Sequence, residues 1–449
     1  MRLIHLATIL AVAVLAACSG QGTPPASPTG SFRTITGTLD GAAYWMDVPS
    51  RWNGTLLLYS HGYRVPDGSP DGHKVIDAAD ATSRAWLLDH GYALAASQYS
   101  QRGWAVEQAL QDQVDLVGLF SQKVGRPSRT IAWGGSMGGL ITGALVQLHP
   151  DQFAAGLAMC GSMAGSVVNF ESGLDGLFVL ATLVGPGSLQ MVTIADPARQ
   201  QAAVRQAVQA AQASPAGRAR LSLVAAMLDL PRPPGADAAA SEKQQAQWVT
   251  STWAPEFSYG LAEVVKRAGG MPAENTSVDY ANLLQRSVDG DEVTAMYDRS
   301  GLSLAADLAA LERAPRVKGD PSAVAYYQRF IQLSGHLARP VLTLHDTGDP
   351  EAVVEQEQAY AATVDGAGSS GLLRQLYVAR MDHCEFTSAE VVVGVQTLLK
   401  RLDTGQWSVL QPAALNSQAA ALGSALNATQ NGSAPAAFVT YTPAAYPRA

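Results

Sequence analysis

The chain has 449 residues, of which 47% are hydrophobic and 15% charged, and its formal net charge is −8. This apolar content can fill a large core and excludes a disordered protein over the middle of the sequence. The acidic balance, with no basic stripe interleaved with aromatic residues, argues against a nucleic-acid partner.

The N-terminal residues have the pattern of an export signal. Arg2 precedes an apolar run, Leu6 to Ala17, which is shorter than a membrane span and has the length of a signal-peptide core. The run ends in Leu-Ala-Ala-Cys18, which resembles a bacterial lipobox. We therefore predict a signal peptide over residues 1–17, lipidation of Cys18 and a Gly/Ser/Pro tether over residues 18–31. The alternatives are a plain secretory signal with Cys18 incidental, or a retained anchor.

Export changes the interpretation of the other two cysteines, Cys160 and Cys384. A pair of cysteines in an oxidising compartment is a disulfide candidate. Two free buried thiols are the alternative.

Short apolar runs alternate with helical periodicity over residues 32–161. The runs that predict strands are Thr55–Ser60, Tyr92–Ser97, Arg129–Trp133 and Gly156–Cys160. Apolar residues between Val106 and Val124 recur every three or four positions, as in a helix with one face on a sheet. This alternation predicts right-handed βαβ units and a mostly parallel sheet.

The alternation is interrupted and then resumes. Residues 162–338 are predicted to be mainly helical, and strand-like runs return over residues 339–411, at Arg339–Asp349 and Leu372–Phe386. We interpret the chain as one sheet interrupted by a helical cap, rather than two unrelated domains, because strands in both halves end in polar residues. Residues 412–449 are predicted to form a loose, low-complexity tail whose "FVTYTP" could dock as an edge strand.

The stretch "TIAWGGSMGGL" contains the pattern G-x-S-x-G, formed by Gly134, Ser136 and Gly138. It lies between a strand-like run and a helical run, which is the context of a nucleophile elbow. A phosphate-binding loop would need a lysine beside the serine, and a dinucleotide fold would need G-x-G-x-x-G. The pattern therefore predicts Ser136 as a nucleophile, with the Met137 N–H at the helix start facing the developing oxyanion.

A nucleophilic serine needs a base, and the base needs an acid that orients it. In this context the partners follow in the order Ser, Asp or Glu, His. His383 lies beyond a late strand-like run and is the candidate base, whereas His345 lies inside a strand and is interpreted as structural. Asp349, stiffened by a following proline, is the candidate acid, and Asp346 is its rival.

A second oxyanion donor is expected from the loop after an earlier strand. "YSHGYRV" occupies that position, and the backbone N–H of Tyr63 or Gly62 is the candidate. An ordinary strand that ends at a glycine is the alternative. The sequence contains no H-E-x-x-H or C-x-x-C motif, and we predict neither a metal nor a cofactor.

These residues together resemble the α/β-hydrolase superfamily over about residues 34–411. The resemblance implies an eight-stranded, mostly parallel sheet with a helical cap after the sixth strand, and hydrolysis through an acyl-enzyme. Feruloyl esterases and tannases of this superfamily carry a cysteine directly after the catalytic histidine, as Cys384 follows His383. They pair it with a cysteine directly before the serine, where this chain has Gly135. A bridge from Cys160 to Cys384 that pins the histidine loop is the hypothesis that remains.

The sequence therefore predicts an exported serine hydrolase that cleaves a carboxylic ester, or an amide, of a small or medium acyl substrate. Membrane contact is predicted only through the lipid on Cys18. The alternatives are an amidase or peptidase with the same triad and a non-catalytic binding lipoprotein on a hydrolase scaffold.

Overall fold

A computed structural model describes residues 28–66, 75–330 and 332–448. The predicted signal peptide, Cys18 and most of the tether lie outside the described residues.

Nine of the strands in the described part of the chain form one sheet, in the order β1-β2-β4-β3-β5-β6-β7-β8-β11. The strands are β1 (Phe32–Leu39), β2 (Ala42–Pro49), β3 (Thr55–Ser60), β4 (Ala93–Ser97), β5 (Arg129–Gly135), β6 (Ala155–Met159), β7 (Val341–Gly348), β8 (Leu373–Met381), β9 (Ala428–Thr429), β10 (Gly432–Ser433) and β11 (Phe438–Val439). β4, β3, β5, β6, β7 and β8 are parallel, whereas β1, β2 and β11 are antiparallel to their neighbours. β9 pairs with β10 in a separate hairpin.

The helices flank the sheet and fill the segment between β6 and β7. They are α1 (Ala81–Asp89), α2 (Val106–Lys123), α3 (Met137–Leu148), α4 (Ser166–Val179), α5 (Pro197–Gln212), α6 (Pro215–Met227), α7 (Ala238–Trp248), α8 (Leu261–Ala268), α9 (Tyr280–Arg286), α10 (Gly290–Ser300), α11 (Leu304–Arg313), α12 (Pro321–Phe330), α13 (Glu355–Gly366), α14 (Ser388–Thr404) and α15 (Pro412–Ala421). Wide π-type turns cover Leu180–Val184, Val249–Trp253 and Glu256–Gly260, and 3₁₀ turns cover Ser370–Leu372 and Ser424–Leu426.

The predicted fold class is confirmed, with a mostly parallel sheet and an insertion after the sixth strand. The sheet has one strand more than the expected eight, because Phe438 and Val439 pair with Val378 and Tyr377 at its edge.

The central strands, such as β3, are buried on both faces of the sheet, which explains their continuous apolar runs. In β3, Leu56 and Leu58 join the core that includes α2 and α3, whereas Leu57 joins the core that includes α1 and α14. Successive side chains of a strand point to opposite faces of the sheet, so a continuous apolar run contributes to the apolar cores on both faces.

The segment between β6 and β7, from α4 to α12, has an apolar core of its own, built around side chains such as Phe178, Val224 and Tyr297. We call this segment the cap. One of its helical stretches, Ser166–Val184, is long and apolar enough to cross a membrane, but 56% of its apolar window is buried inside the protein. Burial in the cap accounts for that composition.

The residues after position 411 pack onto the protein, rather than forming the expected loose tail. α15 and β11 cover one edge of the sheet, and Tyr446 is 1% exposed beside Val353 of the sheet domain and Val168 of the cap. Arg448 Nε binds Asp175 Oδ2 of α4 at 2.7 Å. The composition of this Ala/Ser/Asn-rich segment does not indicate which residues it contacts. The packing of Tyr446 and Arg448 could therefore not be predicted from it.

We expect Tyr446→Ala to lower the free energy of unfolding by about 3 kcal/mol, because it removes a buried aromatic side chain at the junction of cap and sheet. Tyr441→Ala is the matched control, since Tyr441 lies in the same segment but is 37% exposed. Chemical denaturation of both variants measures the difference. Equal destabilisation by the two substitutions would contradict the anchoring role of Tyr446.

Candidate functional site

Ser136 lies on the sharp turn between β5 and α3. Its backbone has φ 59° and ψ −130°, a conformation that L-residues rarely adopt and that costs of the order of 1–3 kcal/mol. The side chain is half-buried, and helix α3 begins at the next residue, Met137. This is the geometry that the G-x-S-x-G pattern predicts.

The two glycines of the pattern allow backbone segments to approach closely around the serine. A Cβ on Gly138 would lie 1.9 Å from the carbonyl oxygen of Ser60, and one on Gly134 would lie 2.4 Å from the same atom. Side chains at either position would therefore push β3 away from the turn.

The loop after β3 lies directly against Ser136. A Cβ on Gly62 would be 3.1 Å from the Ser136 Cβ and 3.5 Å from its Oγ. Tyr99 holds this loop, because its hydroxyl donates to the His61 carbonyl at 3.1 Å and its ring stacks on the His61 imidazole. Gly62 and Tyr63 both line the cleft that contains Ser136.

His383 and Asp349 meet at the ends of β8 and β7. His383 Nδ1 donates to Asp349 Oδ2 at 2.7 Å. His383 and Ser136 line the same cleft, which has a volume of about 560 Å³. The three predicted side chains are thus brought to one edge of the sheet.

The structure places Asp349, rather than Asp346, beside His383. Asp349 Oδ1 accepts from the backbone N–H groups of Glu351 and Ala352, which leaves Oδ2 for the imidazole. Asp346 Oδ2 instead accepts the N–H of Glu385 at 2.8 Å. Burial, with the charge of Asp349, raises the pKa of Asp346 well above its ordinary value, which favours the neutral form of this carboxyl.

Cys160 and Cys384 form a disulfide, as predicted, with a Cα–Cα distance of 5.4 Å. Both cysteines have positive φ angles, 42° and 57°. The bridge joins the end of β6 to the residue after His383, and it passes Gly135, where a Cβ would lie 3.5 Å and 3.6 Å from the two sulfurs. Gly135, the residue before the serine, therefore lies against the disulfide but takes no part in it.

Three contacts at the site come from residues that sequence reasoning did not select. Glu351 Oε1 lies 3.9 Å from His383 Nε2. Trp253 of the cap donates its indole N–H to the Pro350 carbonyl at 2.9 Å, and Gln430 donates to the Cys384 carbonyl at 2.8 Å. The cap and the C-terminal hairpin thus hold the two loops of the site, but no local pattern marks Trp253 or Gln430.

The carboxylates around His383 control its charge. Burial lowers the pKa of the imidazole, but Asp349 and Glu351, with a smaller contribution from Asp346, outweigh burial and raise the pKa to about 10. Glu256 of the cap also faces this histidine, and burial, with the charges of Glu351 and Glu263, raises the Glu256 pKa to about 8. The carboxylates therefore stabilise the charged form of the imidazole, which forms when His383 accepts a proton.

Across residues 28–66, 75–330 and 332–448, no group of three or more His, Cys, Asp or Glu side chains is arranged to hold a metal ion.

Comparison with known proteins agrees with this geometry. A profile of the prolyl oligopeptidase family matches residues 98–169, a range that includes β5, Ser136 and α3. The o-phthalyl amidase of Xanthobacter agilis is 26% identical, and the match covers 85% of this chain and 90% of that protein. The chain is a serine hydrolase with an α/β-hydrolase fold.

Solved structures similar to this hydrolase include two proteins from Aspergillus oryzae. One is an esterase, which is 12% identical to this chain with a TM-score of 0.43. The match covers 83% of this chain and 79% of the esterase chain. Feruloyl esterase B is 15% identical with a TM-score of 0.38, and covers 86% of this chain and 84% of its own.

We expect Asp349→Asn to lower the turnover of the hydrolase by about 10⁴-fold, because an amide favours the wrong imidazole tautomer. Asp346→Asn is the matched control. Its side chain can still accept the Glu385 N–H, and the imidazole keeps Asp349 as its partner, so turnover should stay within about threefold of the native value. Steady-state hydrolysis of a p-nitrophenyl ester measures both variants, and the reverse ranking would identify Asp346 as the acid.

We also expect kcat/KM to fall as the pH decreases, with a midpoint above 6.5, because only the neutral imidazole accepts a proton and the pKa of His383 is raised. Glu351→Gln removes one carboxylate near Nε2, so the midpoint should move to lower pH, by about half a unit since Glu351 is partly exposed. Glu312→Gln, in the cap, is the charge-matched control. The pH dependence of kcat/KM tests this, and an unmoved midpoint in Glu351→Gln would show that Glu351 does not act on His383.

Proposed function

We propose that this hydrolase cleaves carboxylic esters or amides through an acyl-enzyme formed on Ser136. The observation that carries the proposal is the convergence of the strained Ser136 turn with the His383–Asp349 pair, whose hydrogen bond is 2.7 Å long. A nucleophile, an orienting acid and a base, in that chain order, are the elements that acyl transfer on this fold requires.

In the first half of the reaction, Ser136 Oγ attacks the substrate carbonyl carbon and its proton passes to His383 Nε2. Asp349 holds the imidazole through Nδ1 and stabilises its positive charge. The tetrahedral intermediate then expels the alcohol or amine, which takes the proton from His383. Water attacks the acyl-enzyme by the same route and releases the acid.

The negative oxygen of the intermediate needs donors that are already in position. We assign this role to the backbone N–H of Met137, at the start of α3, and to that of Tyr63 or Gly62. The N-terminal end of a helix favours negative charge, and the contact of Gly62 with Ser136 supports the second donor.

The substrate is a small or medium acyl compound that enters the cleft lined by Ser136 and His383. Within the proposal, an ester is the first candidate bond and an amide is the second. The amide is supported by the full-length similarity to the o-phthalyl amidase, which aligns over 85% of this chain. Both reactions use the same three side chains and differ in the leaving group that His383 must protonate.

The proposal also includes action outside the cell, with a lipid anchor on Cys18. The support is the N-terminal sequence and the Cys160–Cys384 disulfide, since disulfides persist mainly in oxidising compartments.

We expect Ser136→Ala to lower turnover by about 10⁶-fold, because the acyl-enzyme cannot form without the hydroxyl. The rates are measured with a p-nitrophenyl ester and with the p-nitroanilide of the same acyl group. The ratio of the two kcat/KM values for the native enzyme then distinguishes an esterase from an amidase.

Ser128→Ala is the control, since Ser128 is exposed and bonds only the Gly54 backbone at the opposite end of β5. It should keep native activity. Near-native hydrolysis by the Ser136→Ala variant would end the proposal. Native protein that neither turns over these substrates nor reacts with a fluorophosphonate would be the binding protein of the alternative interpretation.

A further inference from the structure

His345 is a fully buried histidine in β7, four residues before Asp349. The proposed reaction does not use it, and its sequence position indicates only a structural role. Its contacts connect it to the catalytic acid.

Both ring nitrogens of His345 face acceptors. Nε2 lies 2.6 Å from the Ala352 carbonyl, which can only accept, so Nε2 carries a proton. Nδ1 lies 3.0 Å from Glu357 Oε1. The other oxygen of Glu357 accepts from Thr343 and from Gln375, each at 2.5 Å, as expected of a carboxylate. Nδ1 therefore also carries a proton, and the ring is an imidazolium.

The imidazolium contacts the loop that presents Asp349. The Ala352 carbonyl that it binds belongs to the residue whose N–H is accepted by Asp349 Oδ1. His345 Nε2 is also 3.8 Å from Asp349 Oδ2, the oxygen that accepts from His383. The positive charge of the His345 ring thus lies close to the Asp349 carboxylate, which is buried because only 1% of the residue is exposed.

We propose that His345 is a positioning residue of the catalytic centre, an imidazolium that fixes the Asp349 loop and places a positive charge beside the carboxylate that orients His383. This inference rests on the proposed function, because it assigns Asp349 as the orienting acid.

The groups that face His345 are carboxyls from several elements: Glu357 and Glu355 of α13, Asp346 of β7, and Asp349 of the following loop. Burial lowers the pKa of His345, but the hydrogen bond and charge of Glu357, together with Asp349 and the Ala352 carbonyl, raise it to about 9. The ring therefore stays charged from acidic to mildly alkaline pH.

His345→Gln tests the charge, because glutamine keeps a donor for the Ala352 carbonyl but is neutral. We expect kcat and the rate of fluorophosphonate labelling to fall about tenfold or more, with KM nearly unchanged, since the substrate does not contact His345. The midpoint of the pH dependence should rise, because removal of a nearby positive charge raises the pKa of His383. His336→Gln, at an exposed histidine, is the matched control and should behave as native.

Native behaviour of His345→Gln would overturn the inference, and so would a lower rate with an unchanged midpoint of the pH dependence. The proposed function would still stand in either case if fluorophosphonate labels the native enzyme. If the native enzyme is not labelled and Ser136→Ala matches it in hydrolysis, both fail.

A second measurement does not depend on the folding of that variant. Nitrogen-15 spectra of histidine-labelled native protein should show His345 with two protonated ring nitrogens at pH 6–8, assigned by the perturbation that Glu357→Gln produces. A neutral His345 in that range would overturn the inference.

Discussion

The hydrogen bond between His383 and Asp349 joins the two loops that leave β8 and β7, and the proposed reaction depends on their meeting at Ser136. Distant segments hold both loops. Trp253 of the cap and the buried His345 fix the acid loop, whereas the disulfide and the C-terminal hairpin fix the histidine loop. Because these contacts come from separate parts of the chain, the geometry of the site reports on the folding of the whole protein.

The two buried aspartates at this edge of the sheet have different surroundings. Burial and the neighbouring Asp349 raise the pKa of Asp346, which accepts a backbone N–H behind His383. Asp349 is equally buried, but it faces two imidazoles, at 2.7 Å and 3.8 Å. Two aspartates three residues apart thus have different roles, because Asp349 lies near two imidazoles whereas Asp346 accepts a backbone N–H. An isolated carboxylate at the position of Asp349 would be costly.

The sequence predicted the sheet, the insertion and the three clustered side chains, because each has a local signature: apolar runs, a glycine-flanked serine, and polar residues after strands. The partner of Cys384 followed from elimination once export was assumed. The roles of Trp253, His345 and Gln430 could not be predicted in this way. Trp253 meets Pro350 across 97 residues, Gln430 lies in an Ala/Ser/Asn-rich stretch, and the charge of His345 depends on acceptors that only the folded chain assembles.

The central claim is that Ser136 carries the acyl group during turnover, and trapping that intermediate tests it most directly. The native enzyme is mixed with excess p-nitrophenyl ester, quenched in acid during the steady state and digested for peptide mass analysis. We predict an added acyl mass on the peptide that contains Ser136, absent from the Ser136→Ala protein. An acyl mass on another residue, or turnover with no acylated peptide under these conditions, would contradict the account.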